Sequence, residues 1–262
     1  MNLNEEQIER YSRHIILQGV GGEGQEKLLN GKVLIIGAGG LGSPAALYLG
    51  AAGVGNLGII DGDQVDLSNL QRQVIHHTKD IGRSKALSAK EKINEINPDV
   101  NVTVYETLFT EDNALDIIKD YDFIIDGTDN FPAKFLINDA CVMGEKPFSH
   151  GGILRFDGQT MTYVPGSASY RCVFNGPPPP NSVPTCSQAG VFGAIAGMLG
   201  TIQAAEALKY IIGKGDLLTN RLLIFDALKM NFRTVNVKPN QERLKITKLV
   251  DAEQASCELK NG

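Results

Sequence analysis

The feature that most constrains this chain is the hexapeptide Gly37-Ala38-Gly39-Gly40-Leu41-Gly42. It lies between the apolar run Lys32-Val33-Leu34-Ile35-Ile36 and a segment of helical character at residues 43–52. In that context it reads as a phosphate-binding turn: glycines let the backbone bend sharply and approach a ligand, and the first N–H groups of the following helix face an anion. Asp61 closes the next apolar run, 19 residues beyond Gly42, where a carboxylate can accept hydrogen bonds from two ribose hydroxyls. Strand, turn, helix, strand and acid in register point to an adenine nucleotide and leave its identity open.

Around this turn the pattern predicts an α/β fold, a doubly wound Rossmann-like sheet that becomes mixed in its second half with antiparallel strands and is preceded by N-terminal helices. Residues 2–30 read as two short helices, with Asn4 as N-cap and a break at Gly21-Gly22. Strands are expected at residues 56–61, 100–105 and 122–126, and helices at 81–96, 112–120 and 132–144. A hairpin of strands 152–156 and 159–164 should turn through Asp157-Gly158. An irregular segment, 167–187, carries prolines at 177–180 and has the character of a functional crossover. A helix at 188–212 and strands at 221–228 and 231–238 complete the pattern. Residues 1–262 are expected to form a single domain: N-terminal helices (1–30), a nucleotide-binding half (31–150), a mixed-sheet half with its crossover loop (151–240) and a tail (241–262).

Composition narrows the partners. With 25 basic and 30 acidic residues and a net charge of -5, the chain offers no general field for nucleic acid or anionic lipid, so a protein or small-molecule partner is expected. No basic segment followed by an apolar one opens the sequence, which points to a cytoplasmic protein. The weakly polar stretch 190–212 approaches membrane-spanning length but carries Gln203, Glu206 and Lys209, and reads as a buried helix of a soluble fold. Cys141, Cys172, Cys186 and Cys257 form no C-x-x-C pair and suggest neither a disulfide framework nor a closed zinc site. His14, His76, His77 and His150 are not spaced as ligands and read as structural or surface residues.

Three further stretches carry chemistry. Asp63-Gln64-Val65-Asp66-Leu67-Ser68-Asn69-Leu70-Gln71-Arg72-Gln73 places amides, a hydroxyl and an arginine where a simple dinucleotide domain would turn back quickly, as a site wall would. Arg83 and Lys85 begin the helix predicted at 81–96, where the helix dipole favours anions; either they meet an anionic ligand or they point into water. Asp129 and Asn130 follow a strand and so face the same crevice as Gly40 and Asp61. A carboxylate facing phosphates implies an intervening cation, most simply Mg2+, unless Asp129 only caps the next helix. Arg10 and Arg13 lie three residues apart on one helical face, as a solvated basic face also would.

Taken together, Arg10-Tyr11-Ser12-Arg13, residues 37–42, residues 61–73, Lys85, residues 126–130 and residues 186–190 occur in the order that resembles the ThiF/MoeB/HesA family, bacterial relatives of ubiquitin-activating enzymes. The resemblance covers residues 5–237. It implies ATP-dependent adenylation of the C-terminal glycine of a ubiquitin-like sulfur-carrier protein ending in Gly-Gly, for thiamin, molybdenum cofactor or related biosynthesis. It also implies a nucleotide site of Gly37, Gly39, Gly40, Gly42, Asp61, Asp63, Ser68, Asn69, Leu70, Gln71, Arg72, Lys85, Asp129 and Asn130, with Asp129 positioning Mg2+. Arg13 matches an arginine that reaches the triphosphate of the other protomer, so a homodimer is implied. Cys186 matches a crossover-loop cysteine that captures the activated carrier after transfer from a persulfide donor, unless it is a passenger as in MoeB-like members. The helix starting at Gln188 would lower its thiol pKa. The chain departs from the family's structural zinc site: Ser169 replaces one cysteine and Cys257 stands alone, so no zinc is expected. Rival readings are a nicotinamide-dependent dehydrogenase, an adenylating relative acting on threonylcarbamoyladenosine in tRNA, and a scaffold that binds a carrier without activating it.

Overall fold

A computed structural model of the chain describes residues 3–179, 182 and 189–249. Its strands are β1 (Lys32–Ile36), β2 (Asn56–Ile60), β3 (Asn101–Tyr105), β4 (Phe123–Asp126), β5 (Phe148–Leu154), β6 (Asp157–Tyr163), β7 (Arg221–Asp226) and β8 (Asn231–Asn236). They form one eight-stranded sheet in the order β3-β2-β1-β4-β5-β6-β7-β8. Pairing is parallel from β3 to β5 and antiparallel from β5 to β8, the mixed sheet that the sequence implies.

The parallel half is buried on both faces, so its strands are continuous aliphatic runs rather than alternating ones. Val33, Leu34, Ile35 and Ile36 are each 2% exposed or less, and burying each side chain stabilises the fold by about 1.5–3 kcal/mol. One face packs against α3 (Gly21–Asn30), α4 (Gly42–Ala51), α5 (Lys85–Ile96) and α9 (Gly193–Ile212). The other face is covered by α6 (Ala114–Ile118), α7 (Phe131–Met143) and the short α8 (Tyr170–Val173), through Phe135, Ile137 and Tyr170. A short α10 (Gln241–Leu244) is the last described helix, tied to α8 by Arg243, which donates to the Arg171 carbonyl at 3.0 Å. Among the described residues no helix is long and apolar enough to cross a membrane.

Several boundaries differ from expectation. The N-terminal arm has α1 (Glu5–Arg10) and α2 (Ser12–Ile15) before α3, so Gly21-Gly22 opens a helix instead of separating two. Asn4 does cap α1, in a reciprocal capping box with Gln7. Tyr11, between α1 and α2, is buried and accepts a hydrogen bond from Asn97 Nδ2 at 2.8 Å, which pins the arm to the body.

The β5–β6 hairpin turns at Arg155-Phe156, with Arg155 at φ 57°, and not at Asp157-Gly158. Gly158 lies inside β6 because a Cβ there would sit 2.2 Å from the Phe225 ring. The glycine marks a close packing contact, which in sequence looks identical to a turn signal. α5 begins at Lys85 with Ser84 as N-cap, which leaves Arg83 outside the helix. The long helix α9 starts at Gly193, beyond the expected residue 188.

Candidate functional site

The parallel strand order reverses between β1 and β4, and a doubly wound sheet opens a crevice at the carboxyl ends of such a pair. The glycine turn leaves β1 into this crevice. Gly37, at φ 93°, donates its N–H to Ile60 O at 2.8 Å, and a Cβ on Gly42 would lie 1.8 Å from the Gly37 carbonyl oxygen. Only glycine permits so tight a reversal into α4. The N-cap of α4, Leu41, offers no side-chain acceptor. Among the described residues the amides of Gly39, Gly40 and Leu41 have no acceptor either. Uncapped helix amides of this kind are donors waiting for an anion.

Asp61 forms the rim. Its Oδ2 accepts from the Ala38 amide and its Oδ1 from the Asp63 amide, both at 2.8 Å. Each oxygen keeps a lone pair for an outside donor. Burial pushes this carboxyl above its ordinary value, against the nearby charge of Lys85 and the two amide bonds.

Residues 63–65 pair with 82–85 through Val65 N to Arg83 O (2.9 Å), Gly82 N to Val65 O (2.8 Å) and Lys85 N to Asp63 O (3.0 Å). This pairing seats Lys85 beside Asp63, with Nζ 2.8 Å from Asp63 Oδ2; the lysine side chain is 8% exposed and the aspartate 66%. Arg83 has protein partners that the sequence did not suggest. It lies before the helix start, and its partly exposed side chain bridges Asp80 at 2.9 Å and Glu91.

The wall from Asp63 to Gln73 contains a 3-10 turn, Leu67–Asn69. Asp66 accepts from the Ser68 amide at 2.7 Å and Asn69 Oδ1 from the Asp66 amide at 3.1 Å. Arg72 folds back so that Nη1 donates to Ser68 O at 2.9 Å, while its Cγ would lie 3.6 Å from a Cβ built on Gly40. α9 presses on this wall from outside: a Cβ on Gly193 would come within 2.2 Å of the Gln71 carbonyl oxygen. Ser68, Asn69, Leu70, Gln71 and Arg72 form one continuous stretch of this wall, with Arg72 beside Gly40 and the following Gln73 beside Gly39.

At the end of β4, Asn130 is the N-cap of α7, accepting from the Ala133 amide at 2.9 Å. That corrects the alternative in which Asp129 caps the helix. Asp129 is exposed and has no side-chain partner among the described residues. Arg13 is exposed on α2 and makes no hydrogen bond or ion pair among the described residues, whereas Arg10 is held by Glu6 and the Ile96 carbonyl. Cys186, Gln188 and Cys257 lie outside the described residues. Because α9 begins at Gly193, its N-terminus is not at residue 188, where the thiol argument placed it. Cys172 Sγ accepts from the Asn240 amide at 3.4 Å and lies 3.9 Å from Ser169 Oγ.

Sequence reasoning missed a buried polar hub beneath this loop. Asp126, the last residue of β4, is fully buried; its carboxylate faces Lys134 Nζ at 3.0 Å, His150 Nδ1 at 3.0 Å and Thr128 Oγ1 at 2.6 Å. Lys134 Nζ also donates to Thr128 O at 2.7 Å and to Gly151 O. Gln203, from α9, donates to the carbonyls of Asp126 and Ser149 at 2.8 and 3.0 Å. Burial alone would raise the Asp126 carboxyl; the charge of Lys134 and the bonds from His150 and Thr128 outweigh it and hold the group well below the usual carboxylate range. Burial likewise pushes His150 down, opposed by Asp126. His150 thus has a carboxylate partner, delivered by the β4–β5 register, in which Ile125 pairs with Ser149. The one sequence signal was an acid ending an apolar strand.

A glycine turn with free amides at the carboxyl ends of parallel strands, with Asp61 and Arg72 beside it, defines a Rossmann-type fold. The chain belongs to the ThiF family, whose model matches residues 11–246. It is 48% identical over 257 residues to the probable adenylyltransferase/sulfurtransferase MoeZ of Mycobacterium tuberculosis, covering 96% of this chain and 66% of that protein, so it spans just under two thirds of that relative. It is 45% identical over 246 residues to the sulfur carrier protein adenylyltransferase of Thermus thermophilus, covering 92% of this chain and 91% of that one. Among solved structures, Escherichia coli MccB in a crystal with ATP matches with a TM-score of 0.76 at 24% identity, over 91% of this chain and 73% of that one. At that identity the likeness speaks for the fold alone.

Proposed function

We propose that this chain uses ATP to adenylate the C-terminal glycine of a ubiquitin-like sulfur-carrier protein, releasing pyrophosphate. The observation that carries the reading is the row of free amides at Gly39, Gly40 and Leu41, flanked by Arg72 on one side and by Asp61 and Lys85 on the other. The names of the Mycobacterium and Thermus relatives support the same activity.

The chemistry asks for charge and position. A carboxylate must approach an α-phosphate that is already negative, and pyrophosphate leaves with more charge than it had while bonded. The amides of the turn take phosphate oxygens, Asp61 takes the ribose hydroxyls, and Asn69 and Arg72 contact the triphosphate. Lys85 exchanges its partner Asp63 for phosphate. No general base is required, since a peptide carboxyl is ionised at neutral pH. Asp129 fits a Mg2+ site: an exposed carboxylate, unpaired among the described residues, suits an ion that keeps several waters and takes one or two protein ligands. When bound, the ion neutralises the charge that develops on the leaving pyrophosphate.

In this reading Arg13, unpaired among the described residues, serves the site of a second copy, so the active form is a homodimer. The enzyme works in the cytoplasm as one domain, 1–262, without a zinc centre, and Cys186 receives the activated carrier in a later step with a persulfide donor. The experiment is ATP–pyrophosphate exchange with and without a carrier ending in Gly-Gly. Exchange should require the carrier and disappear in Arg72→Ala and Asp129→Ala. Exchange that ignores the carrier, or ATP cleavage to ADP and phosphate, contradicts the proposal.

A further inference from the structure

His76 lies outside the set of residues that would touch the nucleotide, yet it is 4% exposed and its ring spans two elements of the site. Nε2 is 3.0 Å from the Ala38 carbonyl oxygen, and Nδ1 is 2.9 Å from Ser88 Oγ on α5. A carbonyl can only accept, so a ring proton belongs on Nε2, and burial pushes the imidazole pKa down. The other end of the Ala38 residue is also held, since its amide donates to Asp61. Ser43 Oγ reaches the same carbonyl only at 3.3 Å. Three residues earlier Gln73 is 5% exposed, with Nε2 3.7 Å from a Cβ built on Gly39 and Oε1 without a partner among the described residues. The turn at 73–76 therefore backs the glycine turn with an amide and an imidazole.

We propose that His76 is a positioning residue for nucleotide binding, fixing the Ala38–Gly39 peptide so that the Gly39 amide faces phosphate. The peptide is planar and trans, so its N–H points opposite to its C=O. A carbonyl anchored on His76 aims the Gly39 amide away from His76. Without that anchor the peptide plane is free to rotate, because Gly39 imposes no side-chain restriction, and the phosphate must then order it on binding.

The inference rests on the proposed function only for the choice of ATP as ligand, and its test reads binding separately from chemistry. ATP with Mg2+ is titrated by calorimetry into the wild type, His76→Gln, His76→Asn, His76→Phe and Ser88→Ala, with the melting temperature recorded for each. Gln can present its amide N–H where Nε2 was, and Asn reproduces only the Ser88 side. His76→Gln and Ser88→Ala should bind ATP within about threefold of wild type, whereas His76→Asn and His76→Phe bind about tenfold more weakly, the scale of one lost hydrogen bond. If Asn binds as well as Gln, or if affinity simply follows melting temperature across the set, the inference is overturned. Wild-type chain that binds no ATP overturns both this inference and the proposed function. Graded ATP binding without carrier adenylation overturns the proposed function alone.

Discussion

Replacing Lys134 with methionine keeps the length of the stem and removes the ammonium group. In the native chain that group lies 3.0 and 3.2 Å from the two oxygens of Asp126, which is fully buried, and 2.7 Å from Thr128 O. Breaking a buried ion pair by removing one partner costs about 3–5 kcal/mol, since the remaining charge is left in a poorly solvated site. For a chain of this size that is roughly a 6–20 °C fall in melting temperature. The pH dependence follows from the neighbours. Asp126 has its carboxyl held below the unfolded value of about 3.9, so its contribution is present above that value and is lost as pH falls through the folded one. His150 is pushed down by burial and further by the charge of Lys134. Once Lys134 is gone, the imidazole is the remaining source of positive charge beside Asp126, and its pKa should rise from the depressed value it has in the native chain. A raised histidine pKa stabilises at low pH, and this stabilisation is lost as pH rises through the folded value. Lys134→Met should therefore be most destabilised near pH 8 and partly recovered near pH 6, and His150→Phe in the same background should abolish the recovery. Thermal unfolding followed by circular dichroism at the two pH values measures this. A loss below about 1 kcal/mol at both, or one independent of pH, refutes the reasoning.

Three further outcomes follow from the site. Cys186→Ala should leave carrier-dependent pyrophosphate exchange intact and remove only sulfur transfer to the carrier; loss of exchange would place the thiol in the adenylation step. Arg13→Ala and Arg72→Ala, each inactive alone, should recover roughly a quarter of wild-type exchange when mixed and allowed to trade subunits, because half the dimers then carry one intact site; no recovery would place Arg13 in its own chain's site. Gly42→Ala should fail to yield folded protein, as judged by expression and circular dichroism, since its Cβ would lie 1.8 Å from backbone at Gly37.

Local chemistry was legible in the sequence wherever it is local in space. The glycine turn, the position of Asp61 and the polar wall at residues 63–73 could be read because each lies on a single strand-to-helix connection. The N-cap at Asn4 was readable for the same reason. The hub around Asp126 was not: His150 is 24 residues away and Gln203 is 77, and only the β4–β5 register and the packing of α9 bring them together. His76 read only as a structural or surface residue because its two bonds go to a backbone carbonyl and a serine, which leave no motif. Arg83 was misplaced because a cation beside a predicted helix start looks alike whether it meets a ligand or the acids at 80 and 91. Gly158 shows the same ambiguity, since a glycine after aspartate marks a turn in most hairpins and here marks the place where the Phe225 ring passes.

The most direct test of the central claim is the mass of a Gly-Gly-ended carrier after incubation with this protein, ATP and Mg2+, with pyrophosphate measured in parallel. The account predicts a carrier heavier by one AMP, attached at its last glycine, with one pyrophosphate released per carrier. An unmodified carrier, or ATP converted to ADP while the carrier mass stays constant, would contradict it.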